Sequence, residues 1–314
     1  MSTANQVPET WELTGDDARQ TLEHTGRWRL IRDAFTRLRY ADGFSHARSL
    51  AYLTTLVFLE GIIALVGFTT ALGSGGLSSG IVKMLQKIAP GPAGTILTDA
   101  VQQAHKAGSS HRYLALSVGL VASLITGTTL MGQIERALNR MYGVEQDRPT
   151  GQKYGRAFVL AISAGVLFIA AFVALAFGRA ISSSLSSHTA STVWNLLRWP
   201  LALGLLIAAI ALLFKWSPRR HQPGWSWLAF GATVAVILLA IVTVGLDAMF
   251  QLSSTFGKTY GALAGIVALL LWALFASIAL LFGGAIGAQL EAVRGGRPSP
   301  QSAETMMAPD PGRG

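Results

Sequence analysis

The chain has 314 residues, 51% of them apolar and only 13% charged, with a net charge of +9 and no cysteine. Soluble domains carry about 25% charged residues, so this composition belongs to a membrane protein, and the missing cysteines exclude disulfides and thiolate metal sites. Lys and Arg fall in short blocks beside apolar runs, a placement that insertion topology and anionic headgroups explain without a nucleic-acid partner.

Residues 1–26 mix Thr, Glu, Asp and Gln without a period and are expected to form a disordered tail with no cleavable signal. From Trp28 a helical stripe of Trp28, Ile31, Phe35 and Leu38 runs among Arg27, Arg29, Arg32, Arg37 and Arg39. That pattern suits an amphipathic helix in the headgroup layer, or else a solvated basic helix.

The first span is predicted over about 49–72 and carries one carboxylate, Glu60, near its middle. Residues 73–112 are expected as an extramembrane loop with two short amphipathic helices broken at Pro90-Gly91-Pro92, the second patterned on Ala93, Ile96, Leu97, Ala100, Val101 and Ala104. Further spans follow at about 113–134, 157–178, 194–214 and 225–250, the last with Asp247 near its far end. The sixth, Thr259 to Leu290, is 32 residues without a charge. At about 1.5 Å per residue it exceeds a hydrocarbon core of roughly 30 Å. Its paired glycines, Gly261 with Gly265 and Gly283 with Gly287, have the four-residue spacing that lets a second helix approach closely, or arise by chance in a glycine-rich chain. Residues 294–314 are expected to be a disordered tail. The fold class is therefore all-α, a bundle of six transmembrane helices occupying residues 27–293.

Of the 25 Lys and Arg, 18 lie in the N-terminal region, the connections after spans two and four, and the C-terminal tail. By the positive-inside tendency both termini are expected in the cytoplasm.

Ionisable groups inside a span are costly and mark candidate sites. Glu60 reads as a proton or cation site, or as a protonated carboxyl bonded to a neighbouring helix. Asp247 lies nearer an interface, where it serves a relay or is simply solvated. Asn139 and Arg140 read as helix-end caps and lipid-phosphate contacts. The histidines (His24, His46, His105, His111, His188 and His221) form no HxH or HExxH pattern, and neither a GxSxG elbow nor a P-loop is present. No cofactor, metal or catalytic residue is expected; the expected partners are membrane lipids with anionic headgroups, and self-association stays open.

Several short motifs occur in order: Ser49-Leu-Ala-Tyr52, Ala137-Leu-Asn139-Arg140-Met-Tyr142-Gly143-Val144, Arg148-Pro149, Pro223-Gly-Trp225, and Tyr260-Gly261-Ala-Leu-Ala-Gly265 with Leu271-Trp272. Over about residues 28–293 the chain resembles the YihY/BrkB family of bacterial inner-membrane proteins, once labelled ribonuclease BN. The resemblance implies six helices with both ends cytoplasmic, and roles in envelope integrity with transport or lipid handling. A structural envelope protein is the competing expectation, and a ribonuclease finds no support in these residues. Glu60 stands where family members often have a proline, so a kink there is not implied.

Overall fold

The computed structural model describes residues 4–71, 92–176, 188–252 and 263–301. The described residues are helical apart from short connections and one isolated antiparallel bridge, Ala4 with Gln301. The helices are α1 (Gly15–Thr25), α2 (Arg27–Tyr40), α3 (Gly43–Ala71), α4 (Pro92–Met141), α5 (Thr150–Ala176), α6 (His188–Trp216), α7 (Trp225–Leu252) and α8 (Ala264–Arg294). Six of them, α3 to α8, are long and apolar enough to cross a membrane, as the hydropathy pattern predicts.

α8 is the centre of the bundle. It packs against α3, α4 and α7 and receives α2 and α1 at its C-terminal end. Its sequence explains this position: Ala268, Ala273, Gly283, Gly284, Ala285 and Ala288 are buried, and side chains this small let neighbouring backbones come close where lipid supplies no hydrophobic drive. The tightest crossing is with α7. A Cβ on Gly283 would stand 2.6 Å from the Gly231 carbonyl oxygen, and one on Gly231 would stand 2.8 Å from that of Gly283. Gly284 lies 2.8 Å, by the same measure, from Leu138 of α4. Gly287 has only the Tyr142 hydroxyl nearby, at 3.9 Å. Close approach is therefore made by Gly283 and Gly284, not by a Gly283–Gly287 stripe. Gly265 is buried in the first turn of α8, while Tyr260 and Gly261 lie outside the described residues.

Three sequence expectations change. The segment from Pro92 to Ala104 is not a separate surface helix; it is continuous with the second span in a single 50-residue helix. Proline is tolerated at a helix start, and after Pro92 no further proline interrupts α4. At about 1.5 Å per residue α4 is roughly 75 Å long, so its first half extends beyond any bilayer core. The pattern preceding Pro90 lies outside the described residues.

The second change is the N-terminus. Instead of a disordered tail, residues 4–14 form a strap across the end of the bundle that leads into α1. The α1 start is fixed by the Asp17 carboxylate, which accepts from the Thr14 amide (3.0 Å) and hydroxyl (2.9 Å). Val7 and Ala18 are buried, the Gly15 amide donates to Ser226 Oγ at 3.0 Å, and the Gly224 amide donates to the Leu13 carbonyl. Composition signalled disorder, but these contacts to distant residues supply what the local sequence lacks. Similarly, residues 295–301 fold back: the Asn5 amide donates to the Pro300 carbonyl, and Gln289 Nε2 to that of Pro298. Residues 302–314 lie outside the described part.

The third change concerns α2. Its apolar stripe divides: Leu30, Ala34, Arg37 and Leu38 face the bundle, whereas Trp28 (85% exposed), Ile31 (42%) and Phe35 (47%) face outward.

Candidate functional site

α3 and α4 pack along their length, with Gly119 set directly against the Ala64 backbone. Among the described residues two side-chain polar contacts cross this seam. Glu60 Oε1 accepts from the Thr126 hydroxyl at 3.0 Å, and two turns further along α4 Gln133 Nε2 meets His46 Nδ1 at 3.1 Å. Among the described residues Glu60 Oε2 is buried without a hydrogen-bond partner. Asp247 is held separately: Gln251, one turn on along α7, donates to it at 2.6 Å. The two sequence-predicted carboxylates thus have different partners on different helices. Tyr52, one turn past Arg48, is 60% exposed on the outer face of α3.

Among the described residues, most of the remaining polar contacts gather at the end of the bundle that carries both termini. The strap, the α4–α5 connection (142–149), the α6–α7 connection (217–224) and the end of α8 meet there. Glu291, wholly buried, is ion-paired with the Arg220 guanidinium and accepts from the Thr10 hydroxyl at 2.7 Å. Arg220 also donates to the Pro8 carbonyl at 2.9 Å and lies 4.5 Å from the Tyr142 ring centroid. Charge-assisted contacts of this kind are the strong ones, and the ring face adds cation–π attraction. Burial pushes the Tyr142 hydroxyl up, so it stays neutral.

Arg37 is fully buried beside this group. Its Nε donates to Gln289 Oε1 at 2.8 Å, and Nη1 to the carbonyls of Asn5 (2.9 Å) and Met141 (3.1 Å). Burial brings its guanidinium down to about 10, which leaves it charged at neutral pH. Neutral oxygens carry that charge; among the described residues Arg37 has no ion pair.

The motif residues after span two build the neighbouring turn. Asn139 donates to Asp147 Oδ1 at 3.1 Å and accepts from the Arg219 amide at 2.7 Å. Arg140 caps the carbonyls of Val144 and Glu145. Gly143 has φ +71°, and a Cβ there would strike Gln6 of the strap at 2.6 Å, so glycine is required twice over. Arg148 donates to the Ser217 and Pro218 carbonyls and stands 3.1 Å from buried Glu135. Asn139 and Arg148 thus join the α4–α5 connection to the α6–α7 connection, and Arg140 closes the turn that follows α4.

Asp147 collects three donors: Arg136 at 3.0 Å, Asn139 at 3.1 Å and Lys153 at 3.1 Å. Burial alone would push its carboxyl up, but hydrogen bonds from Asn139, Lys153 and Arg136 outweigh that and bring it to about 2. The folded value lies below the ordinary 3.8, so the stabilisation is complete above about pH 4 and fades as pH falls towards 2. In an acid titration of purified protein, Asp147→Asn is expected to flatten the loss of thermal stability across that window. An unchanged acid limb in the variant would remove Asp147 as its source.

Arg37, Arg220, Glu291 and Gln289 were not singled out from the sequence. Arg37 did carry a signal, since it shares the spacing of Leu30, Ala34 and Leu38 and so falls on the inward face of α2.

A family model described as Virulence factor BrkB matches residues 34–307. Among curated proteins, the putative ribonuclease-like protein YfkH of Bacillus subtilis is 24% identical over 83% of this chain and 94% of its own. A UPF0761 membrane protein of Methylibium petroleiphilum is 26% identical over 77% of this chain and 57% of its own. One from Xanthomonas euvesicatoria is 25% identical over 94% of this chain and 66% of its own. The chain thus spans nearly all of the Bacillus relative but under two thirds of these longer membrane proteins. No solved structure matches. With the six apolar helices, the match across most of the chain identifies this multi-pass membrane protein as a member of the BrkB family.

Proposed function

We propose that the protein is a non-ATP-driven transporter or lipid-handling protein of the bacterial cytoplasmic membrane, with both termini cytoplasmic and Glu60 as its proton-exchanging group. The observation that carries this reading is the state of Glu60. It lies in a membrane span at the α3–α4 seam, one oxygen held by Thr126 and the other buried and unpartnered. An ionisable side chain at such depth costs a few kcal/mol and is retained where it serves an ion or substrate path. The charge partition supports the orientation, because the cation-rich connections and both termini meet at one end of the bundle.

The competing reading is a structural envelope protein. It draws support from that same end, which Glu291, Arg220, Arg37 and the strap tie shut. The ribonuclease-like name belongs to the Bacillus relative; what weighs against carrying it over is that the sequence has no nucleophile motif and that no three His, Asp or Glu are grouped to hold a metal among the described residues.

Reconstitution separates the readings. Proteoliposomes would be assayed for interleaflet exchange of a fluorescent phospholipid and for proton entry after a pH step. The wild-type protein is expected to accelerate at least one, and Glu60→Gln, folded and inserted normally, to return it to the protein-free background. Wild-type protein inert in both assays would favour the structural reading; an active Glu60→Gln variant would refute the role of Glu60.

A further inference from the structure

The outward face of α2 has a composition that its place in the bundle does not require. At 100° per residue, Trp28, Ile31 and Phe35 fall within about 60° of the helix circumference. Arg39 and Arg32 occupy roughly the next 40°, and both are exposed. Arg27 and Arg39 have no ion pair among the described residues, while Arg29 and Arg32 share Asp33, at 3.7 and 3.5 Å. The surface continues onto α3: Phe44 meets Phe35 edge to face at 6.0 Å between centroids, and Arg48 and Tyr52 follow at successive turns on the exposed side.

The inward face fixes where this surface sits. Arg37 fastens α2 to Gln289 near the end of α8 and to the last carbonyl of α4. α2 is therefore held level with the helix ends rather than free in solution. At the same end Tyr154, Trp216 and Trp225 are exposed at the termini of α5, α6 and α7, the positions where amphipathic rings mark a headgroup layer. An apolar edge beside an arginine edge at that level matches one environment, with acyl chains on one side and phosphates on the other.

We propose that the outward face of α2, continued by Phe44 and Arg48, is a binding surface for anionic phospholipid, with Trp28, Ile31 and Phe35 at the acyl boundary and the arginines on phosphates. Through Arg37 the same helix is tied to the ends of α4 and α8. This inference does not depend on transport by the protein, and its readout is stability.

The test places the full chain in nanodiscs of phosphatidylcholine alone or with phosphatidylglycerol and follows thermal unfolding. Each juxtaposed cation contributes measurably at low salt, so the anionic lipid is expected to raise the wild-type midpoint by about 5 °C. About 0.5 M salt should erase most of the rise. The variant Arg27→Gln/Arg32→Gln/Arg39→Gln should keep the phosphatidylcholine midpoint and lose the rise. Should the triple variant fold poorly, quenching by acyl-brominated lipid decides: Trp28→Phe should remove a quenched component of the fluorescence. Equal midpoints in the two lipids would overturn the proposal, as would a triple variant that keeps the rise. So would the same rise in phosphatidylcholine discs from an oligonucleotide, or from inorganic phosphate alone, and so would fluorescence in which Trp28 is unquenched.

Discussion

Replacing Glu291 by alanine is expected to lower the thermal midpoint by about 10 °C, corresponding to about 3–5 kcal/mol. The carboxylate is wholly buried, pairs with Arg220, and accepts from Thr10. Removing it leaves the Arg220 charge without its counter-ion, where two guanidinium nitrogens already lack partners among the described residues. The loss should exceed the net worth of the pair, because the larger part is the cost of an unpaired buried charge. A double variant, Arg220→Met/Glu291→Leu, should consequently lose less than the sum of the two single changes. The strap supplies a second readout. Thr10 and Pro8 are held by Glu291 and Arg220, so Glu291→Ala should hasten proteolytic cleavage within residues 4–14. A midpoint within about 1 °C of wild type, with an unaltered cleavage rate, would show that this cluster does not hold the end of the bundle closed.

That cluster also shows where sequence reading stops. The six spans were legible because each is a long apolar run whose insertion is decided locally by hydropathy. Glu60 was legible for the same reason, as a lone charge against an apolar background. Glu291, Arg220 and Arg37 lie in three separate polar stretches where charges are ordinary. Glu291 reads as the polar boundary of the last span, and Arg220 as one cation in a basic turn. Only the fold, by folding the strap over the ends of α4 and α8, makes them a buried group. The N-terminus was missed on the same principle: its composition predicts disorder, but its order comes from contacts such as Asn5 to Arg37 and Leu13 to Gly224, which no local pattern encodes. The continuous α4 was missed because an amphipathic segment followed by an apolar one reads as two elements when no breaker decides between them.

Gly283 and Gly287, equivalent in the sequence spacing, are expected to respond differently to alanine: destabilisation at Gly283, tolerance at Gly287. At Gly283 the new methyl would meet the Gly231 carbonyl at 2.6 Å and Ala235 Cβ at 2.7 Å. Backbone at a helix crossing cannot swing aside like the end of a long side chain, so α7 and α8 must separate. Overpacking of this kind costs about 1–3 kcal/mol, and the lost close contact has no hydrophobic replacement in lipid. Gly283→Ala should therefore lower the midpoint by several degrees, and Gly283→Val by more. At Gly287 the nearest atom is the Tyr142 hydroxyl at 3.9 Å, an ordinary contact distance. There alanine removes the helix cost of glycine, roughly 1 kcal/mol, and should leave stability unchanged or raise it. Gly231→Ala, whose methyl would meet the Gly283 carbonyl at 2.8 Å, should reproduce the Gly283 effect, and the two changes together should cost less than their sum because they open the same crossing. Equal tolerance at Gly283 and Gly287, measured by thermal unfolding in one detergent or lipid, would show that α7 and α8 do not cross at these residues.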